Sequence, residues 1–141
     1  MVSVLSKNIR KTVSAEKTLL YIYIGFQMVT KVDLENLENK YQLALEHVDE
    51  IERINSYPRY PKEISDFMQV LTQEPWVNYS YRPTEISNIL NNIEQANIDE
   101  IREVLTGTSR AERFCDGSWE NSLQSRMLNP VFKRLREIIN V

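Results

Sequence analysis

Apolar residues recur at helical spacing in several separate stretches of this chain. From Leu34, the positions Leu37, Tyr41, Ala44, Val48 and Ile51 advance by alternating steps of three and four, a narrow heptad seam. Leu45 and Ile54 widen that seam, which suits a helix in a bundle better than a pure coiled coil. Thr30 and Asp33 stand at capping-box spacing, so the pattern predicts one long helix over about 33–55. Pro58 and Pro61 then punctuate a linker. Ile64, Phe67, Met68 and Leu71 predict a second amphipathic helix. Ile86, Ile89, Leu90 and Ile93 predict a third, capped near Thr84, and Asn97 with Glu100 caps a fourth carrying Ile98, Ile101, Val104 and Leu105. Gly107 is expected to end or bend that fourth helix.

Two stretches read differently. Trp76, Tyr79 and Tyr81 lack helical spacing and are closed by Pro83, which predicts an extended connection with its rings laid on the core. Ser109 and Glu112 repeat the capping spacing, and Ala111, Phe114 and Cys115 then form an apolar stripe expected to face inward. Gly117 is placed for a left-handed cap, and Trp119, Leu123 and Met127 predict a short helix after it. Asn129 and Pro130 are placed as N-cap and first residue of a last helix. Its core face is Val131, Phe132, Leu135, Ile138 and Ile139, and its other face is Lys133, Arg134 and Arg136. The fold class that follows is all-α, an irregular bundle of five or six helices with a short extended segment near 76–82.

The chain divides into a basic N-terminal segment, residues 1–31, and a single helical domain, residues 32–141. The segment contains an apolar run of eleven, residues 19–29, too short to span a bilayer. A basic start before an apolar run resembles a signal peptide, but no small-residue cleavage site follows, so the expectation is a buried helix or strand in a cytoplasmic protein. A further expectation is that Met28 is the natural start. Mass spectrometry of the native N-terminus checks it, and a peptide covering Leu19 to Gln27 would exclude it.

Composition narrows the chemistry. One cysteine excludes an internal disulfide, and with one histidine it leaves too few nitrogen and sulfur ligands for a structural zinc site. Three glycines leave little room for a phosphate-binding loop, and neither the G-x-S-x-G elbow nor the H-E-x-x-H helix occurs. The net charge of −3 is unevenly spread: Lys+Arg against Asp+Glu runs five to one over 1–31, four to ten over 32–81, two to five over 82–109 and six to four over 110–141. Basic ends around an acidic middle favour ends docking on the middle, or protein partners, over a duplex-binding surface.

The blocks Tyr57-Pro58-Arg59-Tyr60, Trp76 to Pro83, Leu105-Thr106, Arg110 to Trp119 and Phe132 to Leu135 resemble an uncharacterised bacterial and phage family, domain of unknown function 6508. The resemblance covers about 57–139, and its most specific part is the decapeptide RAERFCDGSW. Asn78 stands where that family tends to have an acid, and Ser118 where it often has a histidine. The resemblance implies a mainly helical fold and carries no activity.

The candidate site is Arg110, Glu112, Arg113, Asp116 and Trp119. Two arginines a helical turn apart suit a phosphate or carboxylate, and Glu112 with Asp116 at i and i+4 suit an acid pair or a divalent cation. Against this stands an internal ion network with Trp119 plugging the core, and that structural reading is favoured. A Cys115–His47 nucleophile and base is disfavoured, because Cys115 falls on the apolar stripe. The second candidate surface is the acidic face of the long helix, with Glu46, Asp49 and Glu50 beside Glu35, Glu38 and Glu52. The expected function is a small non-enzymatic interaction protein of bacterial, phage or mobile-element origin, an inhibitor or regulator docking through that acidic face. Its partner is a basic protein surface or a second copy of itself, with no membrane, metal or cofactor. The alternatives are a nucleic-acid binder using Arg110, Arg113, Arg126, Lys133, Arg134 and Arg136, and an enzyme built on the Arg110–Asp116 cluster.

Overall fold

The computed structural model describes residues 29–139. Residues 1–28, which hold all of the basic segment but its last three residues, all of the apolar run but Val29, and the alternative start at Met28, lie outside those residues. Among the described residues six α-helices and one small antiparallel hairpin follow in order: α1 (Lys31–Glu46), β1 (Glu52–Ile54), β2 (Tyr57–Arg59), α2 (Lys62–Val70), α3 (Ile86–Asn91), α4 (Ile98–Arg110), α5 (Ser118–Ser125) and α6 (Asn129–Ile139). The architecture is an all-α irregular bundle.

The first helix begins where the capping spacing places it. Thr30 Oγ1 accepts from Asp33 N at 3.1 Å, and Asp33 Oδ2 accepts from Thr30 N at 2.9 Å. Asn97 and Glu100 make the same reciprocal pair at the head of α4, at 2.8 and 3.0 Å. Each box satisfies donors that a helix N-terminus otherwise leaves bare.

The end of α1 differs from expectation. It stops at Glu46, with a 3-10 turn at Val48–Glu50 and then β1. Had it run on to 55, Glu52 would lie in its last turn, against the negative end of the helix dipole. Ile51, Ile54 and Tyr57 suit a pleated strand instead, and Asn55 and Ser56 both take left-handed φ values, 53° and 72°, closing a two-residue hairpin. The stretch read as a linker is therefore the second hairpin strand, and Pro58 is tolerated because that strand has an open edge. The regular strands lie at 52–59, while 76–82 contains turns and no strand.

The core is shared by all six helices. Leu34, Leu37, Tyr41 and Ala44 of α1 meet Ile64, Phe67 and Met68 of α2 and Val131, Phe132 and Leu135 of α6. The Tyr41 ring stacks on Phe132 at 4.6 Å and tilts against Phe67 at 5.4 Å. Its hydroxyl donates to Asn129 Oδ1 at 2.6 Å, so Asn129 opens α6 while its side chain holds α1. Burial pushes the Tyr41 hydroxyl above its ordinary range, against the opposing pull of Arg126.

Gly107 neither ends nor bends α4, which continues to Arg110. It is the point of closest approach of α3: a Cβ there would lie 2.2 Å from Ile86 Cδ1 and 3.7 Å from a Tyr81 ring carbon. Gly107→Ala alone is expected to be near neutral in urea unfolding, because displacing Ile86 offsets a helix-propensity gain of about 1 kcal/mol. In an Ile86→Val background the obstructing atom is gone, and the same substitution should stabilise by about 1 kcal/mol. Equal effects in both backgrounds would show that the contact does not matter.

Candidate functional site

The segment after α4 reverses the expected polarity of its side chains. A 3-10 turn at Ala111–Arg113 follows the helix, and its three-residue period breaks the phase on which an inward stripe depends. Phe114 is 82% exposed, more than any other large apolar residue described, and Cys115 is exposed beside it. The inward stripe is thus corrected to an outward tip. Gly117 does take a left-handed φ of 92°, and it leads directly into α5.

Ser109 begins no new helix. It is buried in the last turn of α4, its hydroxyl donating to Thr106 O at 2.8 Å. Glu112 also does something other than close a capping box. Its Oε1 accepts from Trp119 N and from Tyr60 Oη, both at 2.9 Å, and its Oε2 accepts from Gly117 N at 2.7 Å. A carboxylate at the start of α5 satisfies bare N–H groups and complements the helix dipole. Trp119 packs on Tyr60, ring centroids 5.0 Å apart, and donates from Nε1 to Ser109 O at 3.0 Å. Burial and the bond to Glu112 push the Tyr60 hydroxyl far above its ordinary range, so it stays protonated and keeps donating. Arg53 of β1 pairs with Glu120 of α5, fixing the hairpin to the same joint.

Glu112 and Asp116 are therefore not an acid pair. Glu112 is consumed by three donors, whereas Asp116 is exposed and has no side-chain partner among the described residues. No group of three or more His, Cys, Asp or Glu is placed to hold a metal ion among the described residues. The arginines also have separate settings. Arg113 is exposed, while Arg110 is half-buried with its guanidinium carbon 5.2 Å from the Tyr81 ring centroid and 5.9 Å from that of Tyr79.

The aromatic segment divides likewise. Trp76 is buried in the core, but Tyr79 is 71% exposed, so only part of that segment lies as expected. Hydrogen bonds hold it on α4: Asn78 N donates to Thr106 Oγ1 at 2.8 Å, and Arg102, nearly buried, donates to Val77 O and pairs with Asp99 and Glu74. At its far end Arg82 grips buried Glu103 with Nε at 3.0 Å and Nη2 at 2.8 Å, and its backbone N–H adds a third bond at 2.9 Å. Sequence reasoning missed Tyr60, Arg102 and the Arg82–Glu103 pair. Pairing across 52 or 21 residues has no periodicity to read, although Tyr60, Trp76 and Arg82 all fall within the quoted blocks.

The acidic surface is redistributed too. Glu46 closes α1, while Asp49 and Glu50 sit in the 3-10 turn and Glu52 in β1, so they form no single helix face. Glu38 pairs with Arg136 at 2.6 Å, a direct contact between the acidic middle and the basic end. Arg134 donates to Ala96 O at 2.9 Å and pairs with Glu137. His47 Nδ1 lies 2.8 Å from Glu50 and 3.7 Å from Glu63, which draws it away from the proposed dyad; the Cys115 thiol faces Asp116 O.

The bond to Glu50 raises the His47 pKa, reinforced by the charges of Glu50, Glu63 and Glu46. A raised folded value contributes stability in full below the unfolded value of about 6.5, and loses it as pH rises through the folded one. The thermal midpoint is expected to fall between pH 6 and 8, and to fall less in His47→Gln. Parallel slopes would remove His47 as the cause.

The fold and joint define a class: a small helical bundle whose surface turn is built by hydrogen bonds and displays apolar and charged side chains. The chain belongs to the family of unknown function DUF6508, whose model matches residues 34–141 and so takes in most of α1 as well as the quoted blocks. No curated protein and no solved structure matches.

Proposed function

We propose that this protein is a non-enzymatic interaction module that binds another protein through the tip Arg113-Phe114-Cys115-Asp116. The observation that carries the reading is Phe114, 82% exposed on a turn whose two sides are held by Glu112 and Trp119. An aromatic side chain presented on a pre-ordered turn loses little freedom when it enters a partner's pocket, and such anchors dominate interface energies. The reading suits a regulator or inhibitor that occupies a surface on its target. A second surface, for a basic partner, is favoured by a groove of about 540 Å³ lined by Asp49, Glu50, Glu52, Arg59 and Tyr60.

Immobilised full-length protein and its Phe114→Ser variant, exposed to lysate of the source cell, test the first surface. Affinity for the bound protein should fall at least about fivefold in the variant, as loss of an anchor worth over 1 kcal/mol requires, while the thermal midpoint is unchanged. Undiminished recovery removes the tip as the docking surface. Sensitivity only to charge reversal at Asp49, Glu50 and Glu52 would assign binding to the acidic groove.

A further inference from the structure

Among the described residues, Arg110 differs from the other arginines in what surrounds it. Arg53, Arg82, Arg102, Arg134 and Arg136 each pair with a carboxylate. The Arg110 side chain, like those of Arg59, Arg113 and Arg126, has no hydrogen bond or ion pair among the described residues, but among them it alone rests on aromatic faces, those of Tyr79 and Tyr81. The backbone that carries those rings is itself held. Asn78 is tied to α4 on one side by its bond to Thr106, and Arg82 on the other by its bonds to Glu103. Tyr81 N donates to Asn78 O at 3.1 Å, and Ser80 N to Asn78 Oδ1 at 2.9 Å, so the intervening backbone is ordered as well.

A guanidinium packed on aromatic faces keeps its N–H donors in its own plane, where rings do not use them. Two rings also restrict its rotamers, lowering the entropy lost when a ligand binds. The geometry left open suits a planar, bidentate anion, and a carboxylate matches the spacing of the guanidinium edge. Phosphates along a nucleic acid fit less well. Such a ligand needs several cations along its track, whereas Glu112 and Asp116 follow Arg110 within six residues and Glu103 precedes it by seven.

We propose that Arg110, clamped by Tyr79 and Tyr81, is a recognition site for a single aspartate or glutamate side chain of the partner protein. The proposal rests on the reading of the adjacent tip as a docking surface and names the chemistry that accompanies the Phe114 contact.

Isotope-labelled full-length protein, observed through the Nε–Hε signals of its arginines, is titrated with hexaglutamate, hexaglutamine or a thymidine hexanucleotide. Hexaglutamate should shift the Arg110 signal saturably and hexaglutamine should not. Arg110→Lys, which keeps the charge but cannot bond in a bidentate manner, should weaken hexaglutamate at least fivefold. Tyr79→Ala should weaken it by less, and Phe114→Ser should leave it unchanged. An unmoved Arg110 signal, equal affinity in Arg110→Lys, or tighter binding of the hexanucleotide would overturn the proposal. Partner capture that needs Phe114 but is indifferent to Arg110→Lys would defeat this proposal alone. Intact hexaglutamate binding with capture unaffected by Phe114→Ser would instead defeat the docking reading.

Discussion

Glu112→Gln is expected to destabilise the protein by about 3 kcal/mol, the largest effect foreseen for any polar substitution here. The carboxylate accepts from two backbone N–H groups and one phenol. Glutamine of the same shape offers a single acceptor oxygen, and its amide nitrogen would confront a donor. Bonds to a charged acceptor contribute about 1.5–3 kcal/mol each, and glutamine retains part of that set. The thermal midpoint should drop by roughly 10 °C, and Trp119 fluorescence should shift as its ring loses Tyr60. Asp116→Asn is the matched control, and its midpoint should not move. Were the two acids a functional pair, both substitutions would damage the same property. A stable Glu112→Gln protein would show that the joint does not hold the turn.

The second large effect is expected at Glu103. Glu103→Ala should cost about 2 kcal/mol, because it leaves the Arg82 backbone N–H without its acceptor and loosens the Arg82 end of the 76–82 segment on α4. The figure stays modest because the Arg82 guanidinium is more than half exposed and can turn to water. The bond to Arg82 holds the Glu103 carboxyl below the usual carboxylate range. A depressed folded pKa contributes stability above the unfolded value of about 4.3, and that contribution is lost as pH falls through the folded value. Urea midpoints at pH 7 and pH 3.5 should therefore converge for wild type and Glu103→Ala as acid removes the charge. A constant gap would place the loss in packing rather than in the ion pair.

These two sites also show where local reasoning stops. Both capping boxes, the buried face Ile64-Phe67-Met68-Leu71 and the face of α6 were legible, because each depends on residues three or four apart along one helix. The end of α1 was not. A heptad seam continues through Val48 and Ile51 on paper, but hairpin pairing of Ile54 with Tyr57 competes for that backbone and prevails. Asn55 was the available signal, since asparagine tolerates the left-handed conformation a two-residue hairpin requires. Gly107 was misread for a related reason. Whether glycine breaks a helix or admits a neighbour depends on Ile86, which lies on another element.

The candidate site divides along the same line. The stretch Arg110 to Trp119 stood out by its density of charged and aromatic residues, but the ion network expected there is not what forms: Glu112 accepts from two N–H groups and a phenol, and among the described residues neither Arg110 nor Arg113 makes an ion pair. Which side chains point outward was not, because a 3-10 turn of three residues shifts the phase of everything after it. By itself the order of residues determined that helices form, where two of them start, and which faces seek a core, since short-range hydrogen bonds and apolar periodicity carry that information. Only the tertiary structure decided that Glu112 is spent on Tyr60 and the head of α5, that Arg110 rests on two tyrosines, and that Phe114 faces water. Each of those outcomes depends on partners brought together by packing, and no spacing along the chain encodes them.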